Sequence, residues 1–203
     1  MTIRSVLWDF GDTLADQDWL LEAPEGFPDW PRAWFEIARG TLEHEWYVGD
    51  VSTEDIAHEV SELLGMPVAL AIEHIRHRCH NIRFFEAVLT AARDCSLPQA
   101  IVTVNPDAFT RFVVPFYRLD DLFPVIVTSW QEGTVDKAEL CARAVQRLDA
   151  ECVDGQALLI DNIEANVRAW ERAGGQGYVF RGETLFLSDL GASLAQLKRD
   201  GTA

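Results

Sequence analysis

The sequence predicts an α/β protein: a Rossmann-like parallel sheet covered by helices on both faces, with an all-helical segment inserted. Three observations predict it. Short apolar runs that stop on a polar residue recur at Ser5–Trp8 before Asp9, Ile101–Val102 before Thr103, and Ala157–Ile160 before Asp161. Such runs fit strands buried on both faces, whose C-terminal ends form the ligand-binding rim of an open α/β sheet. From Phe84 onward, strand and helix patterns alternate, as a parallel sheet requires. Residues 16–80 interrupt that alternation with helical patterns alone.

The elements follow from local signals. Pro24, Gly26, Pro28 and Pro31 forbid a long helix across residues 16–31. Trp34, Ile37, Ala38 and Leu42 then form a one-sided helical stripe in which Gly40 is the weak point. Ser52 or Thr53 caps a helix carrying Ile56, Val60, Leu63 and Leu64, which Gly65 and Pro67 end. A helix over 68–79 is expected to turn Leu70, Ile72 and Ile75 inward. Beyond it the pattern predicts helix 85–94, strand 100–104 and helix 106–117 with Pro106 in its first turn. Strand 125–128, helix 136–148, strand 157–160 and helix 164–173, closed by Gly174, come next. A short strand at 178–180 and a terminal helix at 190–198 complete the chain. The expected division is a sheet-bearing core of residues 1–15 and 81–203, with residues 16–80 as a helical cap.

Composition narrows the function. At 203 residues, 48% of them hydrophobic, the chain has material for a real core. It contains no run of about 18 apolar residues, the minimum for a membrane-spanning helix. The first residues enter a strand with no charged-then-apolar leader. Cys79, Cys95, Cys141 and Cys152 show no CxxC spacing, so neither a zinc knuckle nor a disulfide framework is indicated. A cytoplasmic setting is expected. The net charge of −16 argues against nucleic acid and anionic membranes as partners. From Asp9 to Glu62, fifteen acidic residues face only Arg32 and Arg39, which reads as a solvated, repulsive surface.

Four pieces carry chemistry. Asp9 closes the first strand and is followed by Gly11 and Asp12; Thr103 closes the second, ahead of Val104 and Asn105 at a helix start. Lys137 opens a helix, and no lysine precedes it in the chain. Asp161 and Asn162 close the strand at 157–160, with Asn166 four residues beyond Asn162.

These four elements, in this order, resemble the haloacid dehalogenase-like hydrolases, and the resemblance spans most of the chain. It implies that Asp9 is a nucleophile that attacks phosphorus and forms an aspartyl-phosphate. It implies that Thr103, Asn105 and Lys137 hold the phosphate, and that Asp9, the Gly11 carbonyl and Asp161 or Asn162 hold Mg²⁺. The expected substrate is a small phosphomonoester. Two positions depart from the family pattern. Glycine stands at position 11, where the family's phosphatases carry a general acid, and Asn162 stands where a metal-binding carboxylate is usual. Three readings of Gly11 stand: Asp12 supplies the proton, a group of the cap supplies it, or turnover is slow or absent. A metal-free dehalogenase, with Asp9 attacking carbon, and a non-catalytic ligand- or partner-binding relative are the alternatives. Oligomeric state is left open.

Other features invite plainer readings. Gly174–Gly177 follows a helix, so it reads as a C-cap and turn rather than a phosphate cradle. His74, His77 and His80 fit a partly exposed helix better than a metal site. The tryptophans Trp19, Trp30, Trp34 and Trp46 fit a core, with one or two lining a pocket. Arg76, Arg78 and Arg83 form a local basic cluster that either holds a substrate anion or lies on a solvated face.

Overall fold

The computed structural model describes residues 3–16, 20–148, 154–191 and 194. Five parallel strands form one sheet: β1 (Ser5–Trp8), β2 (Gln99–Thr103), β3 (Val125–Thr128), β4 (Ala157–Asp161) and β5 (Gln176–Val179), in the order β3-β2-β1-β4-β5. β1 is therefore central, and the register pairs Trp8 with Ile101 on one side and Ile160 on the other. Asp9 thus emerges between the ends of β2 and β4. Successive residues of β1 serve opposite faces, as the two-residue period of a strand demands. Leu7 joins Val102, Leu159 and the inner face of α9 (Lys137–Leu148), while Val6 and Trp8 join the larger apolar cluster on the other side.

That larger cluster runs without a break into the inserted helices, which are α1 (Trp30–Glu36), α2 (Glu43–Val48), α3 (Thr53–Leu64) and α4 (Val68–Cys79). As the prolines predict, no described residue between 20 and 29 belongs to a longer helix. The Trp34–Leu42 stripe forms, with a change of pitch. α1 continues as a π-helical turn over Ile37–Thr41 that contains Gly40. A Cβ at Gly40 would stand 2.9 Å from the Phe35 carbonyl oxygen, so this widened turn depends on the glycine. α3 carries a full capping box: Ser52 accepts from the Asp55 amide while the Asp55 carboxylate accepts from the Ser52 amide. Gly65 ends it with a φ of 63°.

The remaining α-helices among the described residues are α5 (Glu86–Asp94), α6 (Val114–Tyr117), α7 (Leu119–Leu122), α8 (Ser129–Glu132), α10 (Glu164–Arg172) and α11 (Glu183–Phe186). Several differ from the sequence expectation for identifiable reasons. The segment read as one helix over 106–117 opens into a π-helical turn at Phe109–Val113 before α6. Pro115 lies just beyond the wide turn and has no N–H to return to the Arg111 carbonyl. In α4, Ile75 is buried but Leu70 is 40% exposed, and Ala71 takes the inward position instead. β5 starts at Gln176 rather than 178, because the glycines there are packing sites rather than only a turn. Cβ atoms at Gly175 and Gly177 would lie 2.0 Å from Trp170 and 2.3 Å from Val167, both on α10. Most of the expected helix at 190–198, together with Trp19 and Cys152, lies outside the described residues.

Candidate active site

The sheet brings the separate strand-end residues to one point. Lys137, at the first turn of α9, donates through Nζ to Asp9 Oδ1 at 2.6 Å and to the Val102 carbonyl at 2.7 Å. The same ammonium pairs with Asp161 Oδ2 at 3.0 Å. All three charged groups are buried. One cation between two carboxylates leaves an uncompensated negative charge in a poorly hydrated place. Burial accordingly raises the Asp9 pKa to about 6, with Asp161 pushing the same way and Lys137 opposing. Burial works against the Lys137 ammonium, yet its two carboxylate neighbours more than offset this and hold its pKa above the ordinary lysine value.

Asp161 is committed to structure on every side. Its carboxylate accepts from the Ile163 amide at 2.7 Å and from Asn166 Nδ2 at 3.1 and 3.3 Å, in addition to Lys137. It does not line the adjoining cavity; Asn162 does. The amide nitrogen of Asn162 is anchored to Thr13 Oγ1 at 3.1 Å, while its side-chain Oδ1 is buried with no hydrogen-bond partner. Thr103 is buried at the end of β2, and Asn105 Nδ2 donates to its Oγ1 at 2.7 Å. The threonine proton is thereby left to donate elsewhere.

These groups open on a cavity of about 420 Å³, within the range of small-molecule sites. Its floor carries Asp9, Gly11, Thr103, Asn105, Lys137 and Asn162, and its roof comes from the inserted helices. Asp12, one of the candidate proton donors, sits in a left-handed turn with φ 52°, is exposed, and is not among the lining residues. Gly11 lines the cavity.

The roof supplies residues that the sequence did not single out. Arg39, on the π-helical turn, donates through Nη1 to Tyr47 Oη at 3.2 Å and pairs through Nε with Glu43 at 3.1 Å. All three line the cavity. Burial raises the Tyr47 pKa, with the Arg39 charge opposing. The signal was present as i, i+4, i+8 spacing beside Trp46. Trp34 and Trp46 are both buried and line the cavity, their rings edge-to-face at 5.5 Å. Arg76, Arg78 and Arg83 are elsewhere, paired with Glu73, Glu22 and Asp16, and none lines the cavity. No histidine is among the lining residues: His74 packs edge-on against Trp30 and bonds the Glu22 carbonyl, and His80 stacks on Phe116.

Roof and floor are joined by Asp107, which the sequence reading also passed over. This buried carboxylate follows the Thr103–Asn105 loop. It accepts from Trp46 Nε1 at 2.9 Å, from Thr53 Oγ1 at 2.5 Å and amide at 3.2 Å, and from Arg111 at 2.8 Å. Arg111 in turn forks onto Glu54 in α3. A second seam is steric: a Cβ at Gly49, after α2, would come within 2.8 Å of the Trp130 carbonyl oxygen on α8.

This architecture is shared with solved structures at low sequence identity. A HAD family enzyme from Bacteroides thetaiotaomicron, in complex with magnesium and inorganic phosphate, is 14% identical with a TM-score of 0.65, covering 89% of this chain and 95% of its own. A predicted HAD-like family hydrolase from Porphyromonas gingivalis is 16% identical with a TM-score of 0.66, covering 98% of this chain and all of its own. The L-2-haloacid dehalogenase of Xanthobacter autotrophicus, with chloropropionic acid covalently bound, is 16% identical with a TM-score of 0.62, covering 97% and 87%. The chain has the haloacid dehalogenase-like fold. No protein-family model matches the sequence, nor does any curated protein. Among the described residues, no helix is long and apolar enough to cross a membrane.

Proposed function

We propose that the protein is a Mg²⁺-dependent hydrolase of the haloacid dehalogenase-like type, a phosphatase acting on a small phosphomonoester through Asp9. Residues 16–80 act as its cap, residues 1–15 and 81–203 as its catalytic core, and the cytoplasm is its setting. The observation that carries the reading is the buried Asp9–Lys137–Asp161 cluster opening beside Thr103 and Asn105 on one cavity. Lys137 fixes Oδ1 of Asp9 and lessens the repulsion between a carboxylate and an incoming phosphoryl group. Asp161 acts through Lys137, holding it in place. Thr103 Oγ1, oriented by Asn105, donates to a phosphoryl oxygen.

The donors suit magnesium, which prefers oxygen ligands. Asn162 Oδ1 is a buried amide oxygen lacking a partner, and it lines the cavity with Asp9 and Gly11. The excess negative charge of the cluster favours a cation there as well. Asp9, the Gly11 carbonyl and Asn162 would hold the ion, which when bound screens the substrate's negative charge from the nucleophile. Asp9 then bonds to phosphorus as the leaving oxygen departs, and water hydrolyses the aspartyl-phosphate to regenerate Asp9.

One observation favours a second reading. With Gly11 in place of a general acid, the site also suits a metal-free dehalogenase in which Asp9 attacks carbon. Phosphate release from a panel of phosphomonoesters and halide release from 2-haloacids, each with Mg²⁺ and with chelator, separates the two. The phosphatase reading expects phosphate release that chelator abolishes; halide release indifferent to chelator would overturn it.

A further inference from the structure

Resting on the phosphatase reading, we propose that the natural substrates are aryl phosphomonoesters, in which a phenolic oxygen carries the phosphate. Two independent features of the cavity converge on this class. The first is the roof. Among the described residues it presents Leu20, Leu21, Trp34, Phe35 and Trp46 as an apolar, largely aromatic wall. Its polar side chains are Arg39, Glu43 and Tyr47, and these are already bonded to one another. A polyhydroxylated leaving group would strip its hydroxyls of water without finding partners, whereas a flat ring gains contact area and edge-to-face neighbours.

The second feature is the floor. Gly11 leaves the floor without a carboxylic acid beside the leaving-group oxygen, Asp12 is not among the residues lining the cavity, and the roof's one carboxyl group among the described lining residues, Glu43, is paired with Arg39. An alkoxide is too basic to depart readily unprotonated. A phenolate is a far better leaving group, and takes its proton from water after departure. The step balances with water alone. The bond from phosphorus to the phenolic oxygen breaks as the bond to Asp9 forms, and hydrolysis of that ester returns phosphate and the carboxylate. An apolar aromatic roof over a floor lacking an acid is the combination an aryl phosphate needs.

The test pairs turnover with binding. Phenyl phosphate and glycerol phosphate are compared by kcat and KM. Phenylphosphonate and methylphosphonate, which cannot be hydrolysed at a P–O–C bond, are compared by competitive inhibition constant in the Mg²⁺-loaded protein. The expected results are a KM for phenyl phosphate and an inhibition constant for phenylphosphonate each at least about tenfold below those of their apolar-poor counterparts. Trp34→Ala should shrink both ratios. Because Trp34 is buried, Phe35→Ser repeats the test at a cavity residue that is 54% exposed. Equal binding of the two phosphonates, or glycerol phosphate as the better substrate, would overturn the inference while leaving a phosphatase. Failure of every phosphate ester and phosphonate would overturn the phosphatase reading beneath it.

Discussion

The two walls of the cavity are built in contrasting ways. The floor is assembled from residues far apart in sequence, Asp9, Thr103, Lys137 and Asn162, each delivered by the end of a strand or the start of a helix. The roof comes mostly from one short stretch, Trp34 to Tyr47, on consecutive turns of helix, with Leu20 and Leu21 beside it. The floor is buried and its charges are interlocked, so its groups have one place to be. The roof is half-exposed at Arg39 and Glu43, and its charges balance locally. The contrast separates two tasks. Chemistry needs fixed geometry and a rigid sheet provides it, while selection of a leaving group needs a surface that can vary without disturbing that sheet.

If the floor is interlocked as described, its removal should be felt throughout the molecule. Lys137→Met leaves Asp9 and Asp161 buried together without their cation, and should cost about 3–5 kcal/mol of stability in chemical denaturation as well as turnover. A loss under about 1 kcal/mol would show that the pair is solvated, not locked. Gly11→Asp sharpens the contrast from the other side, since it gives the floor the acid it lacks. The rate on alkyl phosphates should rise by up to about 10²–10⁴-fold, while that on aryl phosphates changes little. An equal gain on both classes would mean the new carboxylate acts on something other than the leaving group.

Asp107→Ala tests whether floor and roof move together. It strands buried donors on Trp46 and Thr53, each costing about 1–3 kcal/mol, and should raise KM for bulky substrates more than it lowers kcat. Smaller again is Asn162→Asp. A carboxylate in place of the unpartnered amide oxygen should tighten Mg²⁺ binding in calorimetry, and unchanged or weaker binding would remove residue 162 from the metal shell. Arg39→Met should alter stability by less than about 1 kcal/mol, because its pairs are half-exposed. Its effect should appear instead in the ranking of substrates.

The same contrast governs what was legible in the sequence. The floor could be read because a buried strand ending on Asp9 or Asp161 leaves few roles for the carboxylate, and because an isolated Lys137 at a helix start is conspicuous. β3 was readable to the residue from its apolar run, and α3 nearly so from Ser52 or Thr53 at one end and Gly65 at the other. The roof was not readable at that level. The pattern marked Arg76, Arg78 and Arg83 as a cluster, but which arginine meets the cavity depends on the angle at which each helix docks. Leu70 points the same lesson, since Ala71 takes its place once α4 packs. Nothing local singles out Asp107, because its partners Trp46 and Thr53 are more than fifty residues away. Gly175 and Gly177 were read as turn residues because the indole of Trp170 and the side chain of Val167 above them belong to tertiary packing, not local propensity.

The central claim is that Asp9 is the nucleophile, and steady-state phosphate release by Asp9→Asn in the presence of Mg²⁺ tests it most directly. Asparagine keeps the size and one oxygen of the side chain but cannot form a stable acyl phosphate. The account predicts that turnover falls to background on every phosphomonoester the wild type hydrolyses, with circular dichroism confirming that the Asp9→Asn protein is folded. Release by the folded Asp9→Asn protein at a rate close to wild type would contradict it.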